Sequence, residues 1–298
     1  MQTENKGGIN YELPQVLLLQ ETGLGTCELA ARTAYDSFSQ SENHCIREFN
    51  ANSKDVMGHE LPRVNAIEHS DLLDNLAWTY FHHSVLEHAN LTFLIKGISR
   101  GVLQEHARHR IQGITVRSTR YTMSGLINAF NADKYINRSN IEPSEWFVDT
   151  ILNMNMFVTV NVDYNKLQIV DIWKKLSLQK RLYGDLQFTE ATLSKEQLNW
   201  LKSDLSADLT SNDIFKMLET LKKKRNVGDL VKHVVNDNWK VDMVVTMNLR
   251  AYKNYLGLRA VGSAWFQIQW LSAEMIKATP RKYLDLIMKQ DAINKHIS

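Results

Sequence analysis

Cysteine is nearly absent: Cys27 and Cys45 are the only two in 298 residues, and they form no CxxC pair. One possible bridge is no disulfide framework of the kind that staples small secreted domains, so a reducing cytoplasm is the expected compartment. Proline and glycine are scarce as well, at 4 and 13 residues. That leaves little room for a long disordered linker and no seam to mark a domain boundary. No stretch reaches the roughly 18 uncharged apolar residues of a membrane span, and the polar N-terminus lacks the apolar centre of a signal peptide. Neither sign of charge dominates, with 35 Lys and Arg against 33 Asp and Glu. A formal +2 announces neither nucleic acid nor an anionic membrane as partner, so any affinity for anions must come from local clusters. What is there is an ordinary globular composition, 44% hydrophobic and 23% charged, long enough to bury a substantial core as one domain over 1–298.

Hydrophobic periodicity predicts helices over 27–35, where alanine is frequent, and over 71–82, where Leu72, Leu73, Leu76, Trp78 and Phe81 make broad apolar faces. The period changes over 90–98, where Leu91, Phe93 and Ile95 alternate as in a strand. Ser99 can cap a following helix that carries Val102, Leu103, His106 and Ala107 inward and ends near Arg110, after which Gly113 marks a loop. Residues 154–162 fit strand or helix alike, Leu167, Val170, Trp173 and Leu176 fit a helix, and 193–209 reads as another. The run Lys222, Lys223, Lys224 and Arg225 reads as a solvated helix end, where cations are favoured. Residues 241–258 read as one long helix on Val244, Val245, Leu249, Tyr252, Tyr255 and Leu256, followed by a helical stretch over 264–276. The pattern is α+β and helix-dominated.

The densest chemistry lies at Arg108, His109 and Arg110, followed after seven residues by Ser118 and then by Arg120 and Tyr121. A helix end welcomes one or two cations, but Arg108, Arg110, Arg117 and Arg120 together repel one another unless an anion neutralises them. An anion site is the better reading. His82, His83, Glu87 and His88 superficially suggest a metal centre, yet the spacing is not HExxH and no further ligands complete a tetrahedron, so no metal is expected. Ser118 lacks a base with an orienting acid and reads as a phosphate-binding hydroxyl rather than a nucleophile. Both cysteines read as ordinary buried thiols, and Trp265, Phe266 and Trp270 as core aromatics at helical spacing.

The segment RHRIQGITVRSTRY, with its Arg-His-Arg, seven residues, Ser pattern, resembles the signature of the flavin-dependent thymidylate synthase family. HHSVLEHANLTFLIKGISR upstream is similar to the family's His-x-Ser/Thr-x-x-Glu-His and strand, and NLRAYKNYLGLR downstream to its Asn-x-Arg and Asn-x-x-x-x-Arg helix. With AARTAY these motifs cover roughly half of the chain. The resemblance implies a helix-dominated α+β fold with a small antiparallel sheet. It also implies FAD as cofactor, methylenetetrahydrofolate and NADPH as co-substrates, and a homotetramer with sites between subunits. The substrate would be a pyrimidine deoxynucleotide monophosphate, dUMP, methylated at C5 to dTMP.

Carried onto this chain, the resemblance gives His82, Ser84, Arg108, His109, Arg110, Asn248, Arg250 and Asn254 to the flavin. The nucleotide takes Ser118, Thr119 and Arg120 with Arg108 shared, Lys232 where the family has a phosphate-binding arginine, and Arg259 as the arginine that polarises the pyrimidine. Glu105 joins the substrate-binding set at a position where the family usually has glutamine, and there it needs an arginine partner to avoid repelling phosphate. Val116, Asn236 and the 262–268 segment also depart from the family pattern, and an insertion is expected within 125–225. At about 100° per residue, Asn248 and Arg259 fall on nearly one face of the expected helix and Arg250 and Asn254 almost opposite, which suits a helix shared by two ligands. Two other readings stand beside this one: a relative that transfers a methyl or hydroxymethyl group to another nucleotide such as dCMP, and a non-catalytic nucleotide-binding relative.

Overall fold

A computed structural model of the chain describes residues 2–47, 64, 66–136, 139–183, 210–220 and 230–297. The helix expected over 193–209 and the Lys222 to Arg225 run lie outside these residues. In chain order the first elements are β1 (Thr3–Lys6), β2 (Ile9–Glu12), β3 (Gln15–Glu21), α1 (Gly25–Ala34), α2 (His44–Arg47), α3 (Asp71–Trp78), β4 (Asn90–Ser99), α4 (Arg100–Ala107) and β5 (Gly113–Val116). There follow α5 (Thr119–Thr122), α6 (Ser124–Ile136), α7 (Glu145–Asn153), α8 (Val162–Tyr183), α9 (Ser211–Thr220), β6 (Lys240–Asn248), α10 (Leu249–Arg259), α11 (Phe266–Ala278), α12 (Arg281–Ile287) and α13 (Gln290–Ile297). The architecture is α+β and helix-dominated. Among the described residues no helix is long and apolar enough to cross a membrane.

The chain divides into two compact units interleaved in sequence. The first comprises Met1–Glu12, Ser99–Gly101 and Arg117–Val241. Gly7 and Gly8, at φ 62° and 83°, turn β1 into β2 as a two-residue hairpin, a job for residues without a Cβ. Residues 154–162, ambiguous in sequence, contribute single bridges from Phe157 to Trp239 and from Thr159 to Tyr11. Helices α6, α7 and α8 surround a core that includes Phe130, Phe147, Ile151, Trp173, Leu176 and Trp239. The inward stripe of α8 runs through Ile169, Ile172, Trp173 and Leu176; of the expected positions Trp173 and Leu176 are buried, Val170 is half-buried and Leu167 is 71% exposed.

The second unit comprises Leu13–Ile98, Val102–Val116 and Asp242–Ser298. Its sheet has the order β3-β4-β6-β5, with β3 antiparallel to β4 and β5 antiparallel to β6. Leu91, Phe93 and Ile95 of β4 and Met243, Val245 and Met247 of β6 are buried, and Phe93 meets the Tyr252 ring at 5.7 Å. Four expectations are corrected here. Residues 241–258 are a strand and then a helix; Gly113 opens β5 rather than a loop; α4 ends at Ala107, which is exposed, rather than near Arg110. The helix expected over 71–82 ends at Trp78, and the chain passes through Phe81 at φ 56° into a 3-10 turn, His83–His88.

Candidate active site

Asn248 ends β6 and starts α10. Its side-chain oxygen accepts from the Ala251 amide at 2.8 Å, the N-cap bond that asparagine makes well. The strand therefore passes into the helix over one residue, and α10 turns half of its circumference toward a cavity of about 810 Å³. Asn248, Arg250, Asn254, Tyr255 and Arg259 line it together with Glu87 and with Arg108, His109 and Arg110 from the segment after α4. Arg250 and Arg259 do project from different sides of α10, but they meet one cavity, so the two-ligand reading of its faces is not required. Arg250 is paired with Glu87.

Arg259 is held at three points. Its Nε donates to His109 Nε2 at 3.0 Å, one terminal nitrogen donates to the Glu105 carbonyl at 3.2 Å, and the other meets the Glu105 carboxylate at 2.8 Å. The second carboxylate oxygen of Glu105 lies 3.5 Å from Arg108. The departure at Glu105 thus carries its own compensation, because both oxygens face arginines. A guanidinium has five N–H donors, so two remain, one on each terminal nitrogen. Arginine cannot accept, which makes His109 Nε2 the acceptor and puts the imidazole proton on Nδ1. Burial first, then the charge of Arg259, holds His109 below the usual histidine range, in keeping with a neutral ring.

Behind this clasp lies His106, fully buried, with no partner in good geometry for either ring nitrogen. Burial pushes its pKa down to about 4, with His109 and Arg259 adding and Gln112 opposing. The Tyr255 ring sits 4.9 Å from His106 and 4.8 Å from His109, edge-on to the latter. Burial also raises the Tyr255 hydroxyl. Sequence reading did not assign Tyr255 or His106 to the site. The available signal was an aromatic residue one turn before Arg259 on a helix otherwise rich in polar groups.

Other expected residues lie elsewhere. His82, just before the His83–His88 turn, and Ser84, within it, are exposed and do not line the cavity, although Glu87 from the same turn does. Ser118 is half-buried at the N-terminus of α5, where its carbonyl accepts from the Thr122 hydroxyl at 2.9 Å, and Thr119 opens that turn. The Arg120 backbone belongs to α5 as well. Lys232 is exposed in the Leu230–His233 turn, which packs against α5 within the first unit. Val116 pairs with Met243. Cys27 is buried, its thiol pushed up to about 12 by burial, and Cys45 is partly buried. Trp265 is 38% exposed and Phe266 and Trp270 are partly exposed, so this aromatic group is not the core expected of it. Among the described residues the group with metal-like spacing is His69, Asp71 and Asp74 rather than the His82 to His88 set.

A strand-to-helix junction thus mounts Arg259 over a cavity lined by Arg108, Arg110 and Arg250 against the single carboxylate Glu87, a lining whose charge suits an anionic ligand. The family model described as thymidylate synthase complementing protein matches residues 17–282, and the chain belongs to that family. It is 25% identical over 269 residues to the flavin-dependent thymidylate synthase of Campylobacter jejuni, covering 90% of this chain and 93% of that protein. With the Wolinella succinogenes enzyme of the same name it shares 26% over 272 residues, 90% of this chain and 94% of that one. The fold matches a crystal structure of thymidylate synthase X from Helicobacter pylori with FAD and dUMP at a TM-score of 0.54 and 22% identity, covering 94% and 99% of the two chains.

Proposed function

We propose that this chain is a flavin-dependent thymidylate synthase, an FAD-dependent one-carbon transferase that methylates dUMP at C5 to dTMP with methylenetetrahydrofolate as carbon donor and NADPH as reductant. The observation that carries the reading is Arg259, clasped by Glu105 and His109 so that two N–H donors remain at the rim of the cavity. The donor set fits a flavin: Arg108, Arg110 and Arg250 offer cationic hydrogen-bond donors for a pyrophosphate, and Asn254 offers polar groups for a ring edge. When bound, the flavin supplies the redox chemistry that these side chains lack. The protein binds, orients and stabilises charge. Arg259 donates to the carbonyl edge of the pyrimidine and stabilises negative charge there as C5 becomes nucleophilic, with no protein nucleophile attacking the ring. Ser118, Thr119, Arg120 and Lys232 hold the nucleotide phosphate, a role supported by the packing of their two segments against each other. Lys232 supplies charge without the planar fork of an arginine.

A guanidinium only donates, so it serves O2 and N3 of uracil or the bare N3 of cytosine equally, and Arg259 alone does not choose between them. The test is the purified chain with FAD, methylenetetrahydrofolate and NADPH, given dUMP or dCMP labelled with tritium at C5 and its product identified by mass. The expected results are an oxidised-flavin absorption that bleaches with NADPH and faster release from dUMP with a methyl product. A colourless protein that takes up no added FAD, or a hydroxymethyl product, overturns the reading.

A further inference from the structure

The first unit holds a cavity of about 780 Å³ between α8, the end of α6 and residues 139–142. Lys134, Lys174, Lys180 and Arg181 line it together with one carboxylate, Glu142. Glu142 is engaged with Lys174 at 2.7 Å. The buried Asp133 sits behind this wall and is occupied by Ser144 and by the Trp173 indole, whose nitrogen donates to it at 2.7 Å. Lys134 lies over the Trp173 ring at 3.9 Å and donates to the Asn140 carbonyl at 3.1 Å. Burial lowers its pKa against the pull of Asp133, and the charges of Lys180 and Arg181 lower it further. The Ser177 hydroxyl oxygen, buried in the same wall, has no hydrogen-bond partner.

The donors are arranged along a line. Lys174, Ser177 and Arg181 follow one another at i, i+3 and i+7 on α8, one stripe of a helix, spanning a rise of about 10 Å. A compact single anion would engage one rung of this ladder; an extended one engages all of it. We propose that this cavity is a second anion site, separate from the flavin site, and that its ligand is a chain of phosphates laid along α8 with Lys134 facing it from α6. The cavity is larger than such a chain needs, and Ile141, 84% exposed, gives the mouth an apolar wall for an organic group attached to it. The shared chemistry is the polyphosphate, whether inorganic or carried by a nucleoside.

The experiment is calorimetric titration of the full chain at low ionic strength with inorganic tripolyphosphate and, in parallel, with a nucleoside triphosphate. Saturable binding that weakens with added salt is expected. Lys134→Gln combined with Arg181→Gln should lower affinity at least tenfold while flavin uptake stays at the parent level, so failure here is distinguishable from failure of the proposed activity. Arg181→Glu alone, at an exposed position, repeats the test should the double variant fold poorly. Equal affinity for the two probes assigns recognition to the phosphate chain; tighter binding of the nucleoside form assigns the remaining volume to the organic group. No saturable binding by the parent chain, or undiminished affinity in the Arg181→Glu variant, overturns the proposal.

Discussion

Arg259 spends three of its five donors on His109 and Glu105 and keeps two. Lysine at this position has one flexible ammonium and cannot hold the clasp and the ligand at once. Arg259→Lys is therefore expected to lower kcat by roughly a hundredfold, about 3 kcal/mol, with a much smaller change in nucleotide KM, because phosphate contacts persist while charge stabilisation on the ring falls. Steady-state kinetics on dUMP checks it, and an unchanged kcat removes Arg259 from the catalytic machinery. His106 makes a second prediction at this scale. Its folded pKa of about 4 lies below the unfolded value, so as pH falls from neutral the unfolded chain takes up the proton first. Stability from this group is complete above about pH 6.5 and is lost progressively toward pH 4, amounting to about 2 kcal/mol already lost at pH 5. Urea unfolding at pH 7.5 and 5 should show this loss in the parent and a correspondingly smaller one in His106→Gln. The charged residues of the site were legible as residue types. What sequence does not carry is their pairing, since Glu105 stands out as a departure but only the fold turns its two oxygens onto Arg108 and Arg259.

At the scale of elements, the clearest difference between expectation and fold is the run from Lys240 to Arg259. Val244 and Val245 lie within helical reach of Leu249 and Tyr252, which suggests one continuous helix. The alternation Val241, Met243, Val245, Met247 was also present, and these four are the apolar residues buried in β6, beside the buried Lys240 at its start. Val244 interrupts that alternation because its outward position is apolar too, so periodicity alone could not separate the two readings. The missing cue was Asn248, a cap in the middle of the expected helix. Asn248→Ala should therefore destabilise the protein by about 1 kcal/mol in chemical denaturation and loosen the start of the helix that carries Arg250, Asn254 and Arg259. Asn248→Asp keeps the acceptor and should stay near the parent in stability. If the two variants unfold alike, the cap is not what the position supplies. Strand β4 and helix α1 were legible because alternation in one and alanine-rich composition in the other agree with the burial each element finds.

For the whole molecule the informative surface is the outer face of the four-stranded sheet. Leu17 and Leu19 of β3 are 58% and 51% exposed, Leu17 pairs with the partly buried Leu94 on β4, and Val244 of β6 is 36% exposed. Thr92 and Thr246 share a hydrogen bond of 2.9 Å, and Thr115 on β5 pairs with Val244. A sheet face that met only water would show polar residues at these outward positions, whereas leucine and valine recur beside threonine here. The even charge balance does nothing to keep copies apart. A patch of this kind is what a self-association surface needs, so the homotetramer that the sequence resemblance implies is the expectation to test here; its location was not legible in the sequence, because outward positions become visible only once strand register is known. Replacing Leu17 and Leu19 by glutamate puts charges at two positions on this face, and burying either in an interface without a partner is costly. The parent is expected to run as a tetramer in size-exclusion chromatography with light scattering, and Leu17→Glu with Leu19→Glu as a smaller species. Because both residues are exposed in the single chain, its circular dichroism should be retained. If FAD uptake and dUMP turnover fall together with assembly while Arg108, Arg250 and Arg259 are intact, the site is completed by a neighbouring copy. A dissociated variant that keeps full turnover would show each chain to be sufficient alone.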